Sequence, residues 1–234
     1  MREMLVPTGT HGRVLVRDAP APRGLLVGFH GYMENAQIQM DRLAGIPGAD
    51  EWTLVSVQAL NRFYRGRSED VVAGWMTRQD REAAIQDNCD YVSRAMEIVA
   101  PGAARIVYTG FSQGVAMAFR AAVQREPRFN TGQHGSTRDT GQHGSAQGNT
   151  VQRAVIAVGG DLPPELLADP AAEFPPVLLA RGARDEWYTA AKLEADRAAL
   201  AGRGVQVETV TCDGAHEWTS EVSAAAGRFL ARQP

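Results

Sequence analysis

An α/β fold with a mostly parallel central sheet, covered by helices on both faces, is predicted from two observations. The first is a set of short apolar runs bounded by glycine, proline or charge, at residues 25–29, 53–57, 105–109, 154–158 and 177–180. Strands buried under helices on both sides read as continuous hydrophobic runs, not as alternating ones. The second is that helical stripes fall between these runs. Ile85, Cys89, Val92, Met96 and Val99 are spaced by fours and threes, and Val115, Phe119, Ala122 and Val123 form a second stripe, with Val222, Ala226, Phe229 and Leu230 a third. Each set lies on one face of a helix.

The remaining elements follow from local signals. Residues 4–7 and 13–17 flank a turn-like stretch from Gly9 to Gly12 and suggest an N-terminal antiparallel hairpin. Residues 205–211 alternate Val205, Val207, Thr209 and Thr211 against Gln206, Glu208 and Val210, which suits an edge strand. Thr77 and Asp80 are placed to cap the helix that carries Cys89. Residues 130–150 break the pattern. They are polar, repeat Thr-Gly-Gln-His-Gly-Ser from Thr131 and again from Thr140, and have no apolar face to bury, so they read as a flexible surface insertion.

At 234 residues and 44% hydrophobic content, residues 1–234 are expected to form one domain with one well-filled core. A net charge of -3, with both signs interspersed, gives no footprint for nucleic acid. No stretch has the eighteen apolar residues of a membrane span, and Met1 to Thr10 lack the apolar run of a signal peptide. Cys89 and Cys212 have no ligand spacing and read as reduced thiols, which places the protein in the cytoplasm. His134 and His143 fall in the polar insertion and make a poor metal site, so no metal is expected. A small molecule is the expected partner, and monomer and homodimer both stay open.

Chemistry enters at Gly110-Phe111-Ser112-Gln113-Gly114, where a buried strand ends and an amphipathic helix begins. The pattern alone is weak, but in a strand-turn-helix context it marks a nucleophile elbow, with Ser112 at the carboxyl edge of the sheet. A serine hydroxyl is a poor nucleophile until a base takes its proton. Of the five histidines, His216 in Asp213-Gly214-Ala215-His216-Glu217-Trp218 follows the last strand and reaches the same edge. An acid must hold the imidazole in the right tautomer. Asp185, after the strand at 177–180, fits that role, and Asp161, after the strand at 154–158, competes for it. Backbone N–H groups of Gln113 and Tyr32 are the candidate donors to an oxyanion, with His30 bracing the loop that holds Tyr32. Met33, Trp75, Phe111, Trp187 and Trp218 are the candidate pocket side chains.

The order Ser112, Asp185, His216 is that of α/β-hydrolases. Together with Phe29-His30-Gly31, Gly159-Gly160-Asp161-Leu162-Pro163 and Gly214-Ala215-His216-Glu217, the elbow resembles the phospholipase/carboxylesterase group of that fold, which also contains acyl-protein thioesterases. The resemblance implies a compact, largely lidless serine esterase that uses no cofactor and cleaves small-molecule esters through an acyl-enzyme. A thioesterase or lysophospholipase using the same residues is the alternative, followed by an inactive binding protein of the same fold. One departure bears on substrate preference: Tyr32-Met33-Glu34-Asn35 stands where the group commonly has a Gly-Asp pair.

Overall fold

The computed structural model describes residues 2–123 and 151–233. All five apolar runs are strands: β2 (Leu25–Phe29), β3 (Thr53–Gln58), β6 (Arg105–Phe111), β7 (Gln152–Val158) and β8 (Val177–Gly182). With β1 (Arg13–Arg17) and β9 (Val207–Cys212) they form one seven-stranded sheet in the order β1-β3-β2-β6-β7-β8-β9. Every pair in it is parallel except β1 with β3.

The pleat explains why the runs are apolar throughout, since each strand feeds two cores. Val27, Phe29, Val57, Tyr108, Val155 and Leu179 point to one face. There they pack under α2 (Arg81–Val99) and α3 (Gln113–Val123), through Cys89, Val92, Val115 and Phe119. Leu26, Leu54, Val107, Ile156 and Leu178 point to the other, against α1 (Ala36–Ala44) and α6 (Ser220–Ala231), through Met40, Leu43, Val222, Ala226 and Phe229. Full burial of such side chains is worth roughly 1.5–3 kcal/mol each, so truncation of Phe119 or Leu26 would cost about 3 kcal/mol or more. The described residues also form β4 (Asn61–Tyr64), β5 (Val71–Gly74), α4 (Pro164–Ala168) and α5 (Ala190–Ala201).

Two local expectations need correction. The N-terminal antiparallel pair exists, but the partner of β1 is β3, not residues 4–7. Arg13 to Arg17 register with Gln58 to Leu54 along a strand already anchored in the core, whereas Met4, Leu5 and Val6 stay 64 to 68% exposed and have no surface to bury against. The expected cap on α2 does not form either. Asp80 adopts φ 51° and its carboxylate makes no capping bond, while the Thr77 hydroxyl donates to the carbonyl of Gln79. The antiparallel ribbon of β4 and β5 and the helices α1 and α5 carried no signal strong enough to read. The expected 130–150 insertion, with His134 and His143, lies outside the described residues. Among those that are described, no helix is long and apolar enough to cross a membrane, and no large lid covers the sheet edge.

Candidate active site

Ser112 occupies the turn between β6 and α3 with φ 51°, in the left-handed region that costs a non-glycine residue about 1–2 kcal/mol. The surroundings enforce it. A Cβ on Gly110 would lie 2.4 Å from the carbonyl oxygen of Gly114, and one on Gly114 would lie 2.1 Å from that of Phe29, so the elbow closes only with glycine at both positions.

The topology brings three loops to this edge. Ser112 stands after β6, Asp185 after β8 and His216 after β9, and main-chain bonds tie these loops to the neighbouring strands and to each other. Ser112 N–H donates to Val158 O at 2.9 Å, Gly159 N–H to Ala180 O at 2.9 Å, Ala183 N–H to Cys212 O at 2.8 Å and Arg184 N–H to Gly214 O at 2.8 Å. The side chains then meet in a line: His216 Nε2 lies 2.8 Å from Ser112 Oγ, and His216 Nδ1 lies 2.9 Å from Asp185 Oδ2.

Asp185 is 4% exposed, and its other oxygen accepts the N–H groups of Trp187 and Tyr188, each at 2.9 Å. Burial alone would raise this carboxyl. The bonds from Tyr188 N–H, His216 and Trp187 N–H outweigh it and hold the group below the ordinary aspartate range, as the anion. Buried Arg181 fastens the same turn, donating to the carbonyls of Tyr188 and Asp185 at 2.9 and 3.2 Å. Asp161, the competing acid, is exposed and pairs with Lys192 at 3.1 Å. Strand order puts Asp185 and not Asp161 beside His216, because β8 lies next to β9 and β7 does not.

The loop after β2 is built around His30, which is fully buried. Its Nδ1 donates to Gly31 O at 2.7 Å and its Nε2 accepts the Ala59 N–H at 3.1 Å, a pairing that requires the neutral tautomer. Desolvation depresses its pKa in the same sense. Glu34 Oε2 accepts the Gly31 N–H at 2.7 Å and meets the Arg42 guanidinium, which lies 4.2 Å over the ring of Phe111. Gln113 crosses the gap to β5: its Oε1 accepts the Trp75 N–H at 2.8 Å and its Nε2 donates to Met76 O at 2.9 Å. Among the described residues, the N–H groups of Tyr32 and Gln113 have no acceptor in the chain.

A cleft of about 420 Å³ opens beside Ser112 and His216. Of the five predicted pocket side chains, only Trp187 lines it. Trp75 is fully buried, donating its indole N–H to His30 O at 2.8 Å and packing on Phe29, so it supports the loop from behind. Phe111 is 5% exposed and lies 5.1 Å from the ring of His216, as a backing for it. Trp218 is turned toward α6, its indole N–H on Ser223 Oγ at 2.9 Å, and Met33, at φ 60° and 40% exposed, sits outside the cleft. The actual walls are Met76, Ala116, Leu162, Pro163 and Pro164, with Arg81, Arg120 and Lys192 adding charge. None of these carries a local sequence signal for a pocket except the Gly159 to Pro163 segment that follows β7. Among the described residues, no three His, Cys, Asp or Glu side chains cluster as metal ligands would.

No protein-family model and no curated protein sequence matches the chain. Solved structures do. Esterase PE8 is similar at a TM-score of 0.70 and 20% identity, with 95% of this chain and 98% of that one covered. Acyl-protein thioesterase 2 of Zea mays is similar at 0.67 and 16% identity, over 95% and 99%. The Bacillus cereus carboxylesterase is similar at 0.64 and 15% identity, over 95% of each. With its sheet order, its elbow and these neighbours, the chain has the α/β-hydrolase fold, of the same general build as these esterases.

Proposed function

We propose that the protein is a serine-dependent carboxylic ester hydrolase, with Ser112 as nucleophile, His216 as general base and acid, and Asp185 as its orienting partner. The observation that carries this reading is the unbroken line of contacts from Asp185 through His216 to Ser112, at 2.9 and 2.8 Å. With Nδ1–H donated to the Asp185 anion, Nε2 is left as the acceptor for the Ser112 proton. Attack on an ester carbonyl then gives a tetrahedral oxyanion beside the N–H groups of Gln113 and Tyr32, each worth roughly 3 kcal/mol in the transition state. Collapse expels the alcohol, which takes the proton from His216. Water repeats the cycle on the acyl-enzyme, with His216 again as base, and the acid leaves.

The named esterases among the structural neighbours support the reaction class. The thioesterase among them supports the second reading, a thioester in place of the oxyester at the same residues. Cys89 and Cys212, both buried and neither in a disulfide, support a reducing compartment, the cytoplasm. A panel of p-nitrophenyl esters, acetate through palmitate, tests the proposal on the intact protein and on Ser112→Ala. Turnover that vanishes in the variant is the expected result. Equal turnover by both would overturn the role of Ser112, and failure of the intact protein to react with any ester or with a serine-directed phosphonate would favour a binding protein of the same fold. The ratio of thioester to oxyester turnover separates the two enzymatic readings.

A further inference from the structure

Any residue but proline would supply the backbone N–H at position 113, so the proposed oxyanion role does not by itself call for glutamine. The side chain has its own partners. The ladder of β4 and β5 ends at the pair of Asn61 and Gly74, and among the described residues Trp75 and Met76 have no strand beside them. Two side-chain amides stand in for it. Gln113 Oε1 accepts the Trp75 N–H at 2.8 Å and Gln113 Nε2 donates to Met76 O at 2.9 Å. From the other side Asn88, 1% exposed on α2, donates to Trp75 O at 2.9 Å. A primary amide offers an acceptor and a donor side by side, which suits a main chain that needs both.

The same segment holds the loop of the other proposed donor. Met33 N–H donates to Ala73 O at 3.1 Å and Ala73 N–H to Glu34 O at 2.8 Å, directly after Tyr32. The Trp75 indole N–H donates to His30 O at 2.8 Å, just before it. Tyr32 is thus tied on both sides to residues 73–75, and its ring rests on Gly74, where an added Cβ would meet it at 3.1 and 3.2 Å. Strands β2 and β6 pair as far as Phe29 and Gly110, but Tyr32 and Gln113 each stand three residues beyond that last pair. Past the ladder, the route from one donor to the other runs through Ala73, Trp75 and the Gln113 amide. A donor acts on an oxyanion only within a few tenths of an ångström of hydrogen-bond distance, so the spacing of the two N–H groups bears on rate.

We infer that the side-chain amide of Gln113 is a positioning group: by clamping Trp75 and Met76 it fixes the distance between its own backbone N–H and that of Tyr32, and with it the fit of the oxyanion between them. This inference rests on the hydrolase reading above and goes beyond it, because it gives a task to a side chain that a backbone donor does not require.

The test is Gln113→Met, which keeps the length of the side chain and the backbone donor and removes both amide contacts. With p-nitrophenyl butyrate we expect kcat to fall about thirtyfold and KM to change by no more than about twofold, a smaller loss than removal of a donor outright. An alkyl trifluoromethyl ketone of the same acyl length reports on the oxyanion itself. Ser112 Oγ adds to its carbonyl carbon, the hydroxyl proton passes to His216, and the carbonyl π pair becomes the oxyanion. Its affinity should fall by the same factor as kcat/KM, whereas a side chain that only stabilises the fold would shift the urea midpoint and leave kcat and the ketone affinity alone. Should Gln113→Met fail to fold, Gly74→Ala decides: it crowds the Tyr32 ring without removing an amide, and kcat and ketone affinity should fall together by a few-fold. A kcat within about twofold of the intact protein in the deciding variant, or a fall in kcat with ketone affinity unchanged, overturns the inference and leaves the hydrolase reading standing. Failure of the intact protein to turn over any ester or to bind the ketone removes the hydrolase reading, and this inference with it.

Discussion

The Glu34 carboxylate and the Arg42 guanidinium face each other in a two-point pair, Oε2 to Nη1 at 2.6 Å and Oε1 to Nη2 at 2.7 Å. Their side chains are only 18% and 16% exposed, and Glu34 also carries the Gly31 N–H of the loop that holds Tyr32. Removing one partner of a partly buried pair leaves the other poorly solvated, so Arg42→Met is expected to lower the unfolding free energy by about 2 kcal/mol in urea. It should also lower kcat more than it changes KM, because the loop beside the proposed oxyanion loses its brace and Phe111 loses its cover. Glu34→Gln keeps an oxygen for Gly31 and should lose less on both measures.

Ser112 is held at φ 51°, where a Cβ is unfavourable. Ser112→Ala and Ser112→Gly both lack the hydroxyl and should both be inactive, yet the glycine variant sheds the backbone strain. It is expected to be about 1 kcal/mol more stable than the alanine variant, which thermal melting would resolve. The reverse order would mean that the turn is not strained.

Asp185 and Asp161 both follow strands, but only Asp185 touches His216. Asp185→Asn should cut kcat by roughly 10⁴, as expected when the imidazole loses the partner that fixes its tautomer. Asp161→Asn releases Lys192 at an exposed pair and should cost less than about tenfold. Comparable losses in the two variants would contradict the assignment of Asp185.

His30 is buried in its neutral form, its pKa depressed mainly by desolvation. The unfolded chain takes up a proton near the ordinary histidine value of about 6.5, while folded His30 resists, so its contribution is complete above about pH 6.5 and is lost as the pH falls below it. Urea unfolding between pH 7.5 and 5.5 should show stability falling as the pH is lowered, with this group contributing to the loss. His30→Gln, although less stable overall, should show a shallower decline.

What could be read in the sequence follows the physics of each signal. The five buried strands were legible because double-sided burial removes polar residues from the run, and Ser112 was legible because the elbow needs glycine at 110 and 114. His216 came by elimination among five histidines, and the structure places it against Ser112. Asp185 is favoured over Asp161 in the sequence, but what separates the two in space, which strand lies beside β9, is a fact of sheet order and not of spacing. The pocket was the least legible part. An aromatic residue in an edge loop says nothing about which way its ring turns, and Trp75 turns inward to His30 while Trp187 stays in the cleft. The cationic walls, Arg81 and Arg120, sit in helices, where the sequence does not say that an arginine faces a cleft.

The bonds at the sheet edge from Ser112 to Val158, Gly159 to Ala180, Ala183 to Cys212 and Arg184 to Gly214 use only main-chain atoms. Every residue type except proline can donate in such a bond, so no other point substitution deletes one by removing a group. The spacing of serine, acid and histidine is thereby inherited from the peptide backbone, and the side chains around it are free to drift. The walls of the cleft can therefore be rewritten by substitution while Ser112, Asp185 and His216 keep their places relative to one another.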